Sequence, residues 1–479
     1  MLDRTPQSGC LIANEWRRTD KTIPVLDPST GETFAEIAAG GEAEIDAAVA
    51  AARAAFDGGE WSTLTATDRG RLLSRLGELV ARDAEMLAQL ECRDTGKPLS
   101  QGRADMVATA RYFEFYGGAA DKVHGETIPF MAGYQVQTWH EPYGVTGHII
   151  PWNYPAQMFG RTAAPALAMG NAVVVKPAEE ASLTALHIAN LSIEAGFPPG
   201  GINVVTGYGE TAGAALTAHR DIDFLAFTGS PGVGVMIQTA AAKNHIGCTL
   251  ELGGKSPQIV FDDADLDAAI PVLANAIVQN GGQTCSAGSR VLIQRSIWDE
   301  TVARLTEKFA TLTAAPSGED GNLGPLISSV QRDRVQGFLD RAKPPLITRG
   351  KLSDRAPEGG FYIAPALFGP VAEDDELAKD EVFGPVLSLM PFNDEADAIR
   401  IANNTEYGLV AGVWTRDGSR QTRLAKALRC GQVFLNGYGA GGGIELPFGG
   451  VRKSGHGREK GFAALHEFSQ LKTVVQNHG

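Results

Sequence analysis

Gln279 to Arg290 reads QNGGQTCSAGSR, in which one cysteine, Cys285, stands among glycines, small residues and side-chain amides. Glu251 opens the segment ELGGKSP, 34 positions upstream. A thiol and a carboxylate are the parts of a nucleophile and its base. Cysteine attacks carbonyl carbon as the thiolate, so a working one needs donors that lower its pKa or a carboxylate that takes its proton. Glycines on both sides of Cys285 leave room for a substrate to approach. Lone cysteines are mostly buried small hydrophobes. Cys10, Cys92, Cys248 and Cys430 are read that way, because nothing chemical surrounds them.

The chain that must position this pair has 479 residues, too many for one ordinary core, which implies two or three domains. A hydrophobic fraction of 43% with 57 Gly and 25 Pro fits a globular α/β protein with many tight turns. The net charge of −14 argues against nucleic acid or an anionic membrane surface as partner. Five cysteines without CxxC or His spacing imply reduced thiols, no metal site and a cytoplasmic location. The start, MLDRTPQSGC, lacks a secretion pattern, and no apolar run approaches the ~20 residues that span a bilayer.

Residues 42–56 place Ile45, Ala48, Val49, Ala52 and Phe56 at helical spacing. Asp68 is a candidate cap for a second helix carrying Leu72, Leu73, Leu76, Leu79 and Val80, and the first 120 residues are expected to be mostly helix. From Gly144 short apolar runs (VTGHII, AVVVK, INVVT, FLAFT) alternate with helical stretches at 181–195 and 230–242, which predicts a parallel sheet. A second alternation runs from PQIVF to about Leu435 and predicts a second α/β unit. GETIPFMAGYQVQTWHEPYG and FSQLKTVVQ alternate like strands and are candidate exposed edges. GYGAGGG at 437–443 holds five glycines and can be neither strand nor helix interior; a flexible surface loop and a loop at a substrate mouth are both open.

FTGSPGVG follows a predicted strand and opens a predicted helix, so amides at Gly229, Ser230 and the next turn could face an anion such as pyrophosphate. The spacing is not GxGxxG, and alone it fits an ordinary βα turn as well. Lys176 ends the strand AVVVK at the sheet edge where open α/β sheets bind ligands, and Glu179 follows within one turn.

PWNYP at 151–155, KPAEE at 176–180, FTGSPGVG at 227–234, ELGGKSP at 251–257, GQTCSAGSR at 282–290, EVFGPV at 381–386 and PFGGVRKSGHGRE at 447–459 occur in that order. The ordered set resembles the aldehyde dehydrogenase superfamily over residues 5–477, and within it the NAD-dependent, non-acylating branch. The resemblance implies an α/β fold of two parallel-sheet domains: an NAD-binding, Rossmann-like domain (1–121 and 143–252) and a catalytic domain (253–455). A small β arm for oligomerisation (122–142 and 465–479) would make a homodimer or homotetramer. Its implied catalytic set is Cys285, Glu251, Asn153 and Glu459. NAD would be held by Ile149, Pro151, Trp152, Asn153, Lys176, Ala178, Glu179, Gly207, Phe227, Thr228, Gly229, Ser230, Val233, Leu252, Gly253, Glu381 and Phe383. A tunnel for a small-molecule aldehyde would be formed by Tyr154, Gln157, Met158, Arg161, Thr284, Ser286, Glu445 and Phe448.

The chemistry implied is addition of the Cys285 thiolate to an aldehyde, an alkoxide held by the Asn153 amide and the Cys285 N–H, loss of hydride to the cofactor, and hydrolysis of the thioester by water that Glu251 activates. Glu179 at the ribose would repel a 2′-phosphate and favour NAD over NADP. Thr162 departs from the Lys of many relatives. Arg161 stands where succinate-semialdehyde relatives bind a substrate carboxylate, so an anionic tail and a pairing with Glu445 are both open. Gln279 replaces a second Arg of those relatives, and the glycine loop replaces an aromatic wall, which leaves an aromatic aldehyde open as well.

Overall fold

The computed structural model describes residues 8–439 and 443–479. Two sheets dominate it. The first has eight strands in the order Glu15–Arg17, Cys10–Ile12, Ile202–Val204, Ala172–Pro177, Val145–Ile150, Phe224–Thr228, Gly247–Glu251 and Gly455–His456. The five strands from Ile202–Val204 to Gly247–Glu251 are parallel. Ala172–Pro177 is buried throughout, as a strand covered by helices on both faces must be, which is why AVVVK is apolar without alternation up to its Lys.

From Val145–Ile150 the chain adds two strands on one side, returns, and adds Phe224–Thr228 on the other. The order therefore reverses between Val145–Ile150 and Phe224–Thr228, and ligands of open α/β sheets bind beyond the carboxyl ends of the strands at such a point. The segments leaving those two ends are PWNYP and GSPGVG.

The second sheet orders Leu346–Arg349, Ala366–Phe368, Val386–Phe392, Arg290–Gln294, Pro257–Val260, Val410–Trp414 and Gln432–Leu435, parallel except for its first pair. Arg290–Gln294 lies in mid-sheet directly after the Cys285 segment. A third sheet pairs Ser469–Asn477 antiparallel with Tyr134–Pro142, which pairs in turn with Thr127–Ile128. Leu471, Val475 and Trp139 are exposed on it. No described helix is long and apolar enough to cross a membrane.

The first 120 residues are mostly helix, as expected, but residues 10–38 form four strands and helix begins only at Glu42; the expected cap of the second helix needs correction. Thr22–Asp27 buries Ile23 and Val25 on one face with Pro24 between them, a two-residue period that a helix could not use. The cap of helix Ala66–Arg82 is Thr65, whose hydroxyl oxygen accepts from the Asp68 N–H at 3.1 Å, while Asp68 occupies the third helical position. Within the glycine loop, Ala440, Gly441 and Gly442 lie outside the described residues.

Candidate active site

The turn before Cys285 explains its sequence. Asn280, Gly281 and Gly282 have φ of 51°, 64° and 75°, three successive left-handed residues, which glycine adopts freely and asparagine tolerates. A Cβ at Gly282 would strike the backbone of Gly384 in EVFGPV, so the two motifs touch where only a glycine fits. Asn280 Nδ2 donates to the Asn153 carbonyl at 2.9 Å, and Asn153 Nδ2 donates to the Gln283 carbonyl at 2.9 Å. PWNYP and the cysteine loop are thereby laced together.

Two clefts meet at Cys285, and among the described residues it is the one that lines both. The first runs along Pro151, Trp152, Asn153, Thr228, Gly229, Ser230, Glu251, Gly253, Glu381 and Phe383, with Gln331 and Arg334 completing it. The second is walled by Tyr154, Gln157, Met158, Arg161, Thr284, Ser286 and Phe448, joined by Tyr112, Asn275, Gln279, Tyr438 and Lys460.

In the first cleft the Glu381 carboxylate accepts from the Gly254 N–H at 2.9 Å, and a Cβ at Gly253 would collide with it. Burial pushes the Glu381 carboxyl up to about 7. Phe383 is held at φ 57°, unusual for an aromatic residue, and meets Trp152 edge to face at 5.5 Å. Ser230 caps helix Pro231–Asn244 by accepting from the Val233 N–H at 3.4 Å. The Gly229 N–H is not free for an anion, because it donates to the Glu251 carbonyl at 3.0 Å. Further along the same sheet edge, Lys176 Nζ donates to the Glu179 carboxylate at 2.8 Å, and Glu179 also accepts from the Gly209 N–H. Ile149 and Lys176 are register partners, as are Ile149 and Phe227. Ala178, Gly207, Phe227 and Leu252 are buried behind this edge, and Val233 is exposed on the helix.

Burial pushes the Cys285 thiol up to about 12, against which Arg161 is the foremost opposing influence. Burial does the same to Cys92, so basicity does not single out Cys285; its place between two clefts does. Glu251 is 2% exposed, and its carboxyl is raised well above the usual range by burial first and the charge of Glu459 second, with Arg161 opposing both. Arg161 Nη2 lies 3.5 Å from Glu251 Oε2, and Arg161 Nε contacts Glu459 Oε2. Glu445 is exposed and paired with Arg111 at 2.7 Å; it does not line the cleft and does not pair with Arg161. Nor does the glycine loop lack an aromatic wall, since Tyr438 lines the cleft and donates to the Ser286 carbonyl at 2.6 Å.

One part of the site had no signal in the sequence. Lys97, fully buried, donates to Glu91 at 2.8 Å, to Asp105 at 2.6 Å and to the Asn153 carbonyl at 3.1 Å. Glu91 in turn accepts from the Ala156 N–H, and Asp105 from Gln157 Nε2 at 2.6 Å. Helices Ala84–Thr95 and Leu99–Ala119 thus hold the loop that carries Asn153.

Comparison with known proteins agrees with this geometry. The aldehyde dehydrogenase family matches residues 16–474. An aldehyde dehydrogenase of Emericella nidulans is 44% identical over 97% of this chain and 94% of its own length. The crystal structure of a Burkholderia cenocepacia protein assigned to the aldehyde dehydrogenases is 59% identical, with a TM-score of 0.97 over 98% of this chain and all of that one. Betaine aldehyde dehydrogenase from Staphylococcus aureus, solved with NAD+, is 34% identical with a TM-score of 0.96 over 99% of this chain and 95% of that one. This chain is a member of the aldehyde dehydrogenase family.

Proposed function

We propose that the protein oxidises an aldehyde to its carboxylic acid with NAD, through covalent intermediates on Cys285. The observation that carries this reading is the position of Cys285 at the one junction between a cleft lined by Glu381, Phe383 and Ser230 and a cleft of tyrosines, amides and Phe448. The first fits a nucleotide: it has a buried carboxylate at Glu381, a glycine at 253 where a Cβ would displace that carboxylate, and a helix N-terminus at Ser230. Glu179 and Lys176, at the end of their strand, suit ribose hydroxyls, and the carboxylate opposes a 2′-phosphate. NAD, when bound, supplies the hydride acceptor.

The residues divide the remaining work. Cys285, once its proton has been released to water, adds as the thiolate to the aldehyde carbon, and the resulting oxygen anion takes the second N–H of Asn153 Nδ2, whose first is held by the Gln283 carbonyl. Once hydride has left, the acyl group remains on sulfur as a thioester. Glu251, buried and basic, takes a proton from the water that hydrolyses it. The product is the free acid.

The second cleft carries hydroxyls and amides from Tyr112, Thr284, Asn275, Gln279 and Tyr438 beside Phe448 and Met158, which supports a polar or ring-bearing aldehyde over a long alkyl one. An anionic tail on Arg161 is less favoured, because that guanidinium lies beside two protein carboxylates. We read residues 1–121 and 143–252 as the cofactor domain, 253–455 as the catalytic domain, and 122–142 with 465–479 as an arm. The one-sided strand Ser469–Asn477, with Leu471 and Val475 exposed, supports assembly of copies through that arm. Five free cysteines support a cytoplasmic setting.

The test is a panel of neutral, acidic and aromatic aldehydes followed by NADH absorbance and acid formation together. Equal yields of NADH and acid are expected. Acid without NADH would leave only hydrolysis.

A further inference from the structure

We propose that Arg161 is the positioning residue for Glu251: its guanidinium, lying between two carboxylates and against an aromatic face, holds the base in place by charge and supplies the positive charge that balances it. This deepens the reading of Glu251 as the hydrolytic base and rests on it.

Arg161 is the single charged residue of helix Pro155–Met169 and is 6% exposed. Its Cζ lies 4.4 Å from the centroid of Phe448, while its Nη2 and Nε edges face Glu251 and Glu459. Phe448 and Glu459 exchange both backbone hydrogen bonds, at 2.6 and 2.8 Å, so the ring and the second carboxylate belong to one rigid bridge. The guanidinium therefore lies against two carboxylates and a ring, held by charge and packing, since neither Nε nor Nη2 makes a hydrogen bond to the carboxylates. Thr162 supplies no charge; its hydroxyl pairs with His148 at 2.7 Å, and burial keeps that imidazole neutral by lowering it to about 3.

A buried carboxylate without a counter-charge is costly. Among the described residues, the charged and titratable groups facing this cluster are Tyr112 and Tyr116 from helix Leu99–Ala119, Cys285, Arg458 and Lys460 beside Glu459, and Glu467 from helix Gly461–Glu467, with Glu381, Tyr154 and Tyr438 facing Cys285 itself. Among them Arg161 is the strongest influence favouring the ionised form of both Glu251 and Cys285. Its loss should leave both more protonated at a given pH.

The experiment compares the parent with Arg161→Met, Arg161→Lys and Glu251→Gln. Iodoacetamide alkylation of the Cys285 peptide, without aldehyde or cofactor, and kcat for one neutral and one carboxylate-bearing aldehyde are both followed against pH. In Arg161→Met the rising limbs of both profiles are expected to move up by about 1–3 pH units, equally for the two aldehydes, with Lys restoring most of the shift. If Arg161→Met does not fold, Arg161→Met combined with Glu459→Gln removes the cation with one carboxylate; the upward shift is then expected in the Cys285 alkylation profile, whereas at Glu251 the loss of Glu459 offsets the loss of Arg161.

A parental pH profile with only a lower Tm would overturn the proposal. So would a KM increase confined to the acidic aldehyde, which would make Arg161 a substrate anchor. Parental thioester hydrolysis in Glu251→Gln would instead overturn the base assignment itself.

Discussion

The Lys97 ammonium donates at 3.1 Å to the main-chain carbonyl of Asn153, and the same carbonyl accepts from Asn280 Nδ2 at 2.9 Å. A fully buried cation from one helical hairpin and an amide from the cysteine loop therefore converge on one peptide unit. Although burial works against its charge, Asp105 and Glu91 hold the Lys97 ammonium above its ordinary range. The peptide that carries the proposed oxyanion donor is fixed by electrostatics outside either cleft.

Lys97→Met should cost about 3–5 kcal/mol of stability, because it leaves Glu91 and Asp105 buried without their partner. Denaturant unfolding measures this. A loss under about 1 kcal/mol would mean that the triad is not a structural charge cluster.

Much of the site could be read from the chain because its parts are contiguous: Cys285 with its glycines, Glu251 with ELGG, Asn153 between prolines. The parallel strands were equally legible, since Ala172–Pro177 is apolar on both faces. Lys97 was not, because Glu91, Asp105 and Asn153 join it only when two helices pack under the loop. Arg161 was recognised as a tunnel residue, but its partners Glu251 and Glu459 lie 90 and 298 positions away, and no local pattern favours them over Glu445. The cap of helix Ala66–Arg82 was misplaced at Asp68 because Thr and Asp are both good cap residues, and Thr65 stands three positions earlier.

Glu251→Gln should slow thioester hydrolysis more than hydride loss, so rapid mixing should show a burst of NADH and then a slow steady state. In the parent, the carboxylate form of Glu251 exists only above its raised pKa. Steady-state kcat should therefore fall with decreasing pH from a point well above the ordinary Glu value of about 4.3. Loss of the burst together with turnover would mean that Glu251 acts mainly by deprotonating Cys285.

Glu179→Ser should narrow a preference for NAD over NADP that is expected to be at least about tenfold in kcat/KM, since a 2′-phosphate beside the carboxylate meets repulsion and loses hydrogen bonds. Equal use of the two cofactors by the parent would reject the assignment of Glu179 to the ribose.

Cys285→Ala is the most direct measurement. Its side chain touches both clefts, so its removal should abolish NADH formation from every aldehyde that the parent oxidises, while NAD affinity by calorimetry stays near parental. Turnover within about tenfold of the parent would contradict covalent catalysis at this residue and with it the reading of the two clefts.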